Sequence, residues 1–189
     1  MQSVGVQLFQ KIIVGVFDNQ KQVKAELASC KQVHPEAKHV TEIIDHRISN
    51  IPSDFVGTFI LEESYYSHTN GQYEVKPLFF KVSPHGPYDI YLQSVIIPDH
   101  LDKSKVVNSN VDLHFDYTNL IVNDKFGKAL YHNMGDYFIV NHLANFGPGL
   151  TFNLIETLTK DQLQVMELLK KDGTPITTYS SPILYDRIS

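Results

Sequence analysis

The chain has no tryptophan and a single cysteine, Cys30, in 189 residues. One cysteine excludes an intrachain disulfide framework and every fold that depends on one. No stretch approaches the roughly 18 apolar residues of a membrane-spanning helix. The opening MQSVGVQLFQKIIVGVFDN has no basic start, and Gln7, Gln10 and Lys11 interrupt its apolar residues, so it does not read as a secretory signal. The expectation is a cytoplasmic protein. Positive charge is also short, with 16 Lys+Arg against 21 Asp+Glu and a formal net charge of −5. A broad nucleic-acid or anionic-membrane surface needs clustered Lys and Arg, so neither partner is expected.

The usual chemical motifs are missing too. There is no G-x-S-x-G nucleophile elbow, no H-E-x-x-H and no Cys/His zinc spacing. Gly147-Pro148-Gly149 is a turn, because proline removes one of the amides that would cradle a phosphate. Cys30 and His34 could meet across one helical turn, but no surrounding motif supports a reactive thiol, and a free cysteine beside a surface histidine is the plainer reading. Glu62 and Glu63 are neighbours on a strand, so they face opposite sides and cannot share acid/base work. No metal and no cofactor is implied.

What is present is aromatic and apolar residues in a changing rhythm. Tyr 10 and Phe 11 suit strands and pockets. The length gives one domain, 1–189, able to bury about 70% of its unfolded surface. Val6, Phe9, Ile13, Val16 and Phe17 recur at helical spacing. A second helix follows Asp18-Asn19, with Asn19 as cap and Gln22 three residues on, as in a capping box. Residues 1–36 therefore read as a helical segment.

From residue 38 the period becomes two. Strands are predicted around Val40–Ile48, Phe55–Tyr65, Tyr73–Val82 and Tyr88–Ile97. Others are predicted at Leu120–Val122, Ala129–Asn133, Tyr137–Leu143, Leu150–Leu158, Leu163–Leu169, Ile176–Tyr179 and Ile183–Arg187. Asn70-Gly71 is a hairpin signal, and Pro98–Val111 reads as a loop with a short helical turn. Many short strands with regular turns indicate an antiparallel sandwich or barrel.

If the sheet closes, apolar residues mark the inward face and polar residues of the same parity are candidates for a site. Glu63 follows Phe59 and Leu61, Glu156 follows Phe152 and Leu154, and Glu42 and His46 share parity with Val40 and Ile44. A carboxylate facing a low-dielectric interior is costly unless paired or hydrogen-bonded. Such groups inside a cavity would orient a small ligand. On an open sheet, or at a solvated mouth, they would be ordinary surface groups.

Several segments resemble the CpcT/CpeT family of phycobiliprotein chromophore lyases. Phe17-Asp18-Asn19-Gln20-Lys21-Gln22-Val23 is similar to its F-x-N-Q-x-Q-A segment, and Leu61-Glu62-Glu63-Ser64-Tyr65 to its V-E-Q-x-Y strand. Thr151–Glu156, Lys171-Asp172-Gly173 and the terminal Pro182–Arg187 follow its C-terminal layout. The resemblance implies a lipocalin-like barrel that holds a linear tetrapyrrole and delivers it to a phycobiliprotein cysteine. On it, Glu62, Tyr65 and Arg187 carry over, Arg187 as a barrel-closing residue. The family's arginine-rich strand falls at Glu74–Lys81, which offers only Lys76 and Lys81. Arginines are natural partners of bilin propionates, so that departure weighs against transfer.

The expectation is a mainly β fold: a lipocalin-like antiparallel β-barrel with an N-terminal helical segment, binding a small, largely apolar or tetrapyrrole-like ligand. The residues expected to line it are His46, Glu62 or Glu63, Tyr65, Phe79 and Glu156. One alternative is a bilin lyase or chaperone, with a phycobiliprotein as partner. Another is an interaction module with a filled barrel and an aromatic exterior of Tyr66, Tyr91 and Phe138, forming a homodimer or partner face.

Overall fold

A computed structural model describes residues 3–67, 71–177 and 179–189. The elements in chain order are α1 (Val4–Ile13), β1 (Gly15–Asp18), α2 (Gln20–Ala28), β2 (Glu36–Ile43), β3 (Ile48–Ser49), β4 (Thr58–Ser67), β5 (Tyr73–His85) and β6 (Asp89–Val95). They continue with β7 (Phe115–Asp116), β8 (Ala129–Asn133), β9 (Tyr137–Gly147), β10 (Leu150–Thr159), β11 (Gln162–Lys171), β12 (Thr174–Pro175) and β13 (Ile183–Arg187). The hairpin signal at Asn70 lies outside the described residues.

Ten strands form a closed antiparallel barrel in the order β1-β2-β4-β5-β6-β8-β9-β10-β11-β13, with β13 pairing back onto β1. Neighbours around the barrel are also neighbours in the chain, an up-and-down meander. Closure satisfies the backbone groups that an open sheet would leave at its edges. β12 adds to β11, and β3 pairs in parallel with β7 outside the barrel.

Register fixes which residues face inward. His39 lies opposite Ser64, Thr41 opposite Glu62, and Glu62 opposite Leu78. Across the barrel, Val140 lies opposite Glu156 and Leu154 opposite Glu167. The inward face is therefore odd-numbered on β2 and β11 and even-numbered on β4, β5, β6, β9 and β10.

The core has two parts. The first fills the barrel and its lower end, where Phe9 of α1 meets Tyr131 and Phe138 edge-on with ring centroids 5.3 Å away in each case. α1 sits tightly there: a Cβ on Gly5 would come 2.2 Å from the Tyr88 carbonyl oxygen. The second lies outside the barrel, where Phe59, Leu61, Phe79 and Val95 are covered by Val106, Leu113 and Phe115 of the long connection from β6 to β8. β4 is thus buried on both faces. That is why it reads as a near-continuous apolar run, as strands covered on both sides do.

Two local readings are corrected. Val16 and Phe17 are not helical. The chain leaves α1 at Val14, Gly15 takes φ +141°, and the four residues from Gly15 to Asp18 form β1, which closes the barrel. A barrel strand therefore lies within the segment read as helical. Asn19 precedes α2, but its side chain does not cap it: Nδ2 donates to the Pro35 carbonyl and Oδ1 accepts from Ala37 N–H, tying the helix entry to β2. Gln22 reaches Pro182 and Leu184 instead of completing a capping box.

No helix among the described residues is long and apolar enough to cross a membrane.

Candidate functional site

A cavity of about 280 Å³ lies inside the barrel. Most of its wall is apolar, with Phe9, Ile60, Leu92, Phe126, Leu154 and Val165 among the lining residues. Half-buried Phe146 and Phe152 also line it, and their rings stack 5.5 Å apart. The polar lining is concentrated in His39, Glu62, Tyr131, Glu156 and Glu167. Five strands supply these residues (β2, β4, β8, β10 and β11), so the closed meander alone brings them together.

Glu62 and His39 form the most connected part. Glu62 Oε1 is 3.0 Å from His39 Nδ1, an ion-pair separation that is out of line for a hydrogen bond, and it accepts from Ser64 Oγ at 2.9 Å. His39 Nε2 lies 3.0 Å from the Tyr185 hydroxyl, which in turn bonds Tyr66. Burial opposes charge on His39, but Glu62, with Glu167 and Glu156 beyond it, outweighs burial and holds the imidazole above its ordinary pKa. Burial likewise works against ionised Glu62, but His39 and Ser64 win, and its pKa is lowered. The pair is an imidazolium facing a carboxylate, which satisfies a buried charge with an opposite one.

Glu156 behaves differently. Burial, reinforced by the charge on Glu62, pushes it up to about 8, although Tyr131 donates to its Oε2 at 2.9 Å. At neutral pH it is a carboxylic acid. Its Oε1 has no hydrogen-bond partner among the described residues. Glu167 is raised as well, chiefly by burial, with Glu62 adding and His39 opposing, and its carboxylate makes no hydrogen bond or ion pair among the described residues.

The other expected lining residues lie elsewhere. Glu63, Tyr65 and Phe79 were expected inside the barrel and face outward. Phe59 and Leu61 do mark a buried face, but the burial comes from the 96–122 connection. Glu63 fastens that connection, with Oε1 accepting from Asn108 N–H at 2.7 Å and Oε2 accepting from the Tyr65 hydroxyl. Arg47 adds bonds to the carbonyls of Asn108 and Asn110. Tyr65 and Phe79 line an external groove of about 710 Å³ between the barrel wall and this connection. His46 is exposed on the turn after β2, and Glu42 is exposed beside Arg47. Of the supposed aromatic exterior, Phe138 is fully buried and Tyr66 shares the inward parity of Glu62.

Arg187 acts on the structure. Its guanidinium donates to the carbonyls of Ile12 and Val14 at the end of α1 and to that of Lys160, and it lies 4.4 Å above the Phe17 ring. Positive charge is favoured at a helix C-terminus, so this residue latches α1 into the barrel end.

A second polar cluster has the order of a catalytic triad. His34 Nδ1 is 2.5 Å from Glu26 Oε1, and its Nε2 is 3.2 Å from Ser181 Oγ. The same Nε2 is 3.0 Å from the Ser181 carbonyl oxygen, a better acceptor that occupies the nitrogen a base would use. The Glu26 carboxylate also accepts from the N–H groups of Val33 and His34. The cluster ties α2 to the loop before β13, and Ser181 is not among the residues lining the barrel cavity.

Among the described residues no group of three or more His, Cys, Asp or Glu side chains could hold a metal ion. The fold and cavity define a lipocalin-like barrel with an internal polar cluster. No family model, curated protein or solved structure matches the chain.

Proposed function

We propose that the protein is a binding protein for a small, largely apolar molecule, carried inside the barrel without chemical change. The observation that supports this is the interior cavity itself, which is apolar over most of its wall and has a few polar groups gathered in it, the usual make-up of a small-molecule site. A nucleophile with an available base and an oxyanion-binding pair, as acyl transfer needs, is not among the groups lining it. A volume of about 280 Å³ lies just below the usual range of ligand pockets, roughly 300–1,000 Å³. It favours a ligand smaller than a linear tetrapyrrole, as does the absence of arginine from β5.

The test is titration of the purified protein with an anilinonaphthalene dye, a medium-chain fatty alcohol, haem and biliverdin, followed by ligand spectra and tyrosine fluorescence. Saturable one-to-one binding of the dye or alcohol is expected, lost in Leu154→Trp, which fills the cavity. Binding that survives this substitution unchanged, or no binding at all, overturns the proposal. Tight binding of biliverdin, with transfer to an acceptor protein, would favour a chromophore lyase instead.

A further inference from the structure

We propose that the ligand of the barrel cavity carries a protonated amine on an apolar body, and that Glu156 and Glu167 hold it. This rests on the carrier reading and names the chemical class of its ligand. Three carboxyl groups line the cavity against one cationic group, His39, and that cation already faces Glu62. An anionic ligand would add negative charge beside Glu62 in a space where water screens poorly. A neutral ligand would leave Glu167 without a partner and one oxygen of Glu156 free.

An ammonium answers both. Glu156 lies opposite Val165, and Leu154 opposite Glu167, so the two glutamates are diagonal neighbours on adjacent strands of the inward face. Diagonal neighbours have Cα atoms about 7–8 Å apart, a span that two carboxyl groups can bridge through one ammonium. Glu156 is only 9% exposed, is anchored by Tyr131 through one oxygen, and lines the cavity. The surrounding wall, with Phe126 and Phe152, suits the apolar body and offers aromatic faces to a cation.

The groups facing Glu156 are Glu62 on β4, His39 on β2, Tyr131 on β8 and Glu167 on β11. Lys76 on β5 is the other cation near Glu167, but it is exposed and pairs with Glu74 at 3.1 Å, and burial outweighs its pull on Glu167. Glu156 is protonated at pH 7, so an ammonium entering beside it displaces that proton to solvent while the amine keeps its own. Amine binding therefore releases up to one proton, and affinity rises from pH 7 to about 9 before falling as the free amine itself loses charge, near pH 10.

The experiment compares three probes of one shape: 4-phenylbutylammonium, 4-phenylbutanol and 4-phenylbutyrate, titrated calorimetrically into wild-type protein in buffers of different ionisation enthalpy. The amine is expected to bind about tenfold or more tightly than the alcohol, the carboxylate more weakly than either, with proton release on amine binding. Glu156→Gln and Glu167→Gln should each lower amine affinity about tenfold and leave alcohol affinity within about threefold, their folding checked by circular dichroism. Amine binding no tighter than that of the alcohol or the carboxylate, or binding without proton release in wild-type protein, overturns the assignment and leaves the carrier reading standing. Failure of all three probes while the anilinonaphthalene dye still binds also overturns the assignment alone. Failure of the dye as well overturns both.

Discussion

A single carboxyl group, Glu156, sets much of the electrostatic character of the interior. Its pKa in the fold is about 8, well above its ordinary 4.5, so the folded chain holds a proton between those values that the unfolded chain has released. Stability contributed this way is full below the unfolded pKa and is lost as pH rises through about 8. His39, also raised, loses its contribution in the same direction, whereas the lowered Glu62 adds stability above about 4.5 and loses it in acid. Thermal unfolding should therefore show the melting temperature declining between pH 6 and pH 9. Glu156→Gln should flatten that decline, since an amide has no proton to lose. Alternation made Glu156 legible in the sequence because β10 has one apolar face, marked by Leu154 and Leu158. It did not distinguish Glu62 from Glu63, because β4 is buried on both sides and its more apolar face is the outer one. A one-residue change of parity turns every side chain of a strand over. His39 is hidden in the sequence for that reason: Val40 and Ile44 mark the opposite parity as apolar, and the neighbour of Val40 is the residue that faces Glu62.

Among the elements, α1 is held by packing and by a latch from the far end of the chain. Phe9 fills the barrel end, and Arg187 binds the carbonyls on which the helix ends. Hydrogen bonds to a charged donor contribute roughly 1.5–3 kcal/mol each, and carbonyls left buried without one carry a further cost. Arg187→Ala should destabilise the fold by about 2–4 kcal/mol in denaturant titrations. Hydrogen exchange should show the loss first at residues 4–13, and Arg187→Lys should recover little, since an ammonium cannot span three acceptors in a planar fork. α1 itself could be read from its apolar spacing. Its end could not, because Val16 and Phe17 continue the helical pattern by coincidence while Gly15 and pairing on both edges pull them into a strand. A Cβ on Gly15 would meet the Arg187 guanidinium at 2.1 Å, a constraint visible only once the two ends of the chain are together.

At the scale of the whole molecule, the turn signals and the two-residue period were enough for an antiparallel barrel, because each hairpin is local. Closure is not local. β1 meets β13 through Phe17 opposite Arg187 and Asp18 opposite Asp186, and nothing in either segment alone announces the other. Within the 96–122 connection, Pro98–Val111 was likewise legible as a loop but not as part of a second roof, since the connection's apolar residues Val106, Leu113 and Phe115 are scattered without period. Removing residues 183–189 should leave β1 and β11 as unpaired edges. Circular dichroism of such a shortened chain is expected to retain strand signal while the cooperative unfolding transition is lost.

The pairing of the first strand with the last has a consequence for how the protein is made. Until Ile183–Arg187 has emerged from the ribosome, the seam stays open and α1 has no latch. The nascent chain must therefore shelter a half-finished, aggregation-prone surface until β13 emerges. The final step is then a long-range closure, the slow kind.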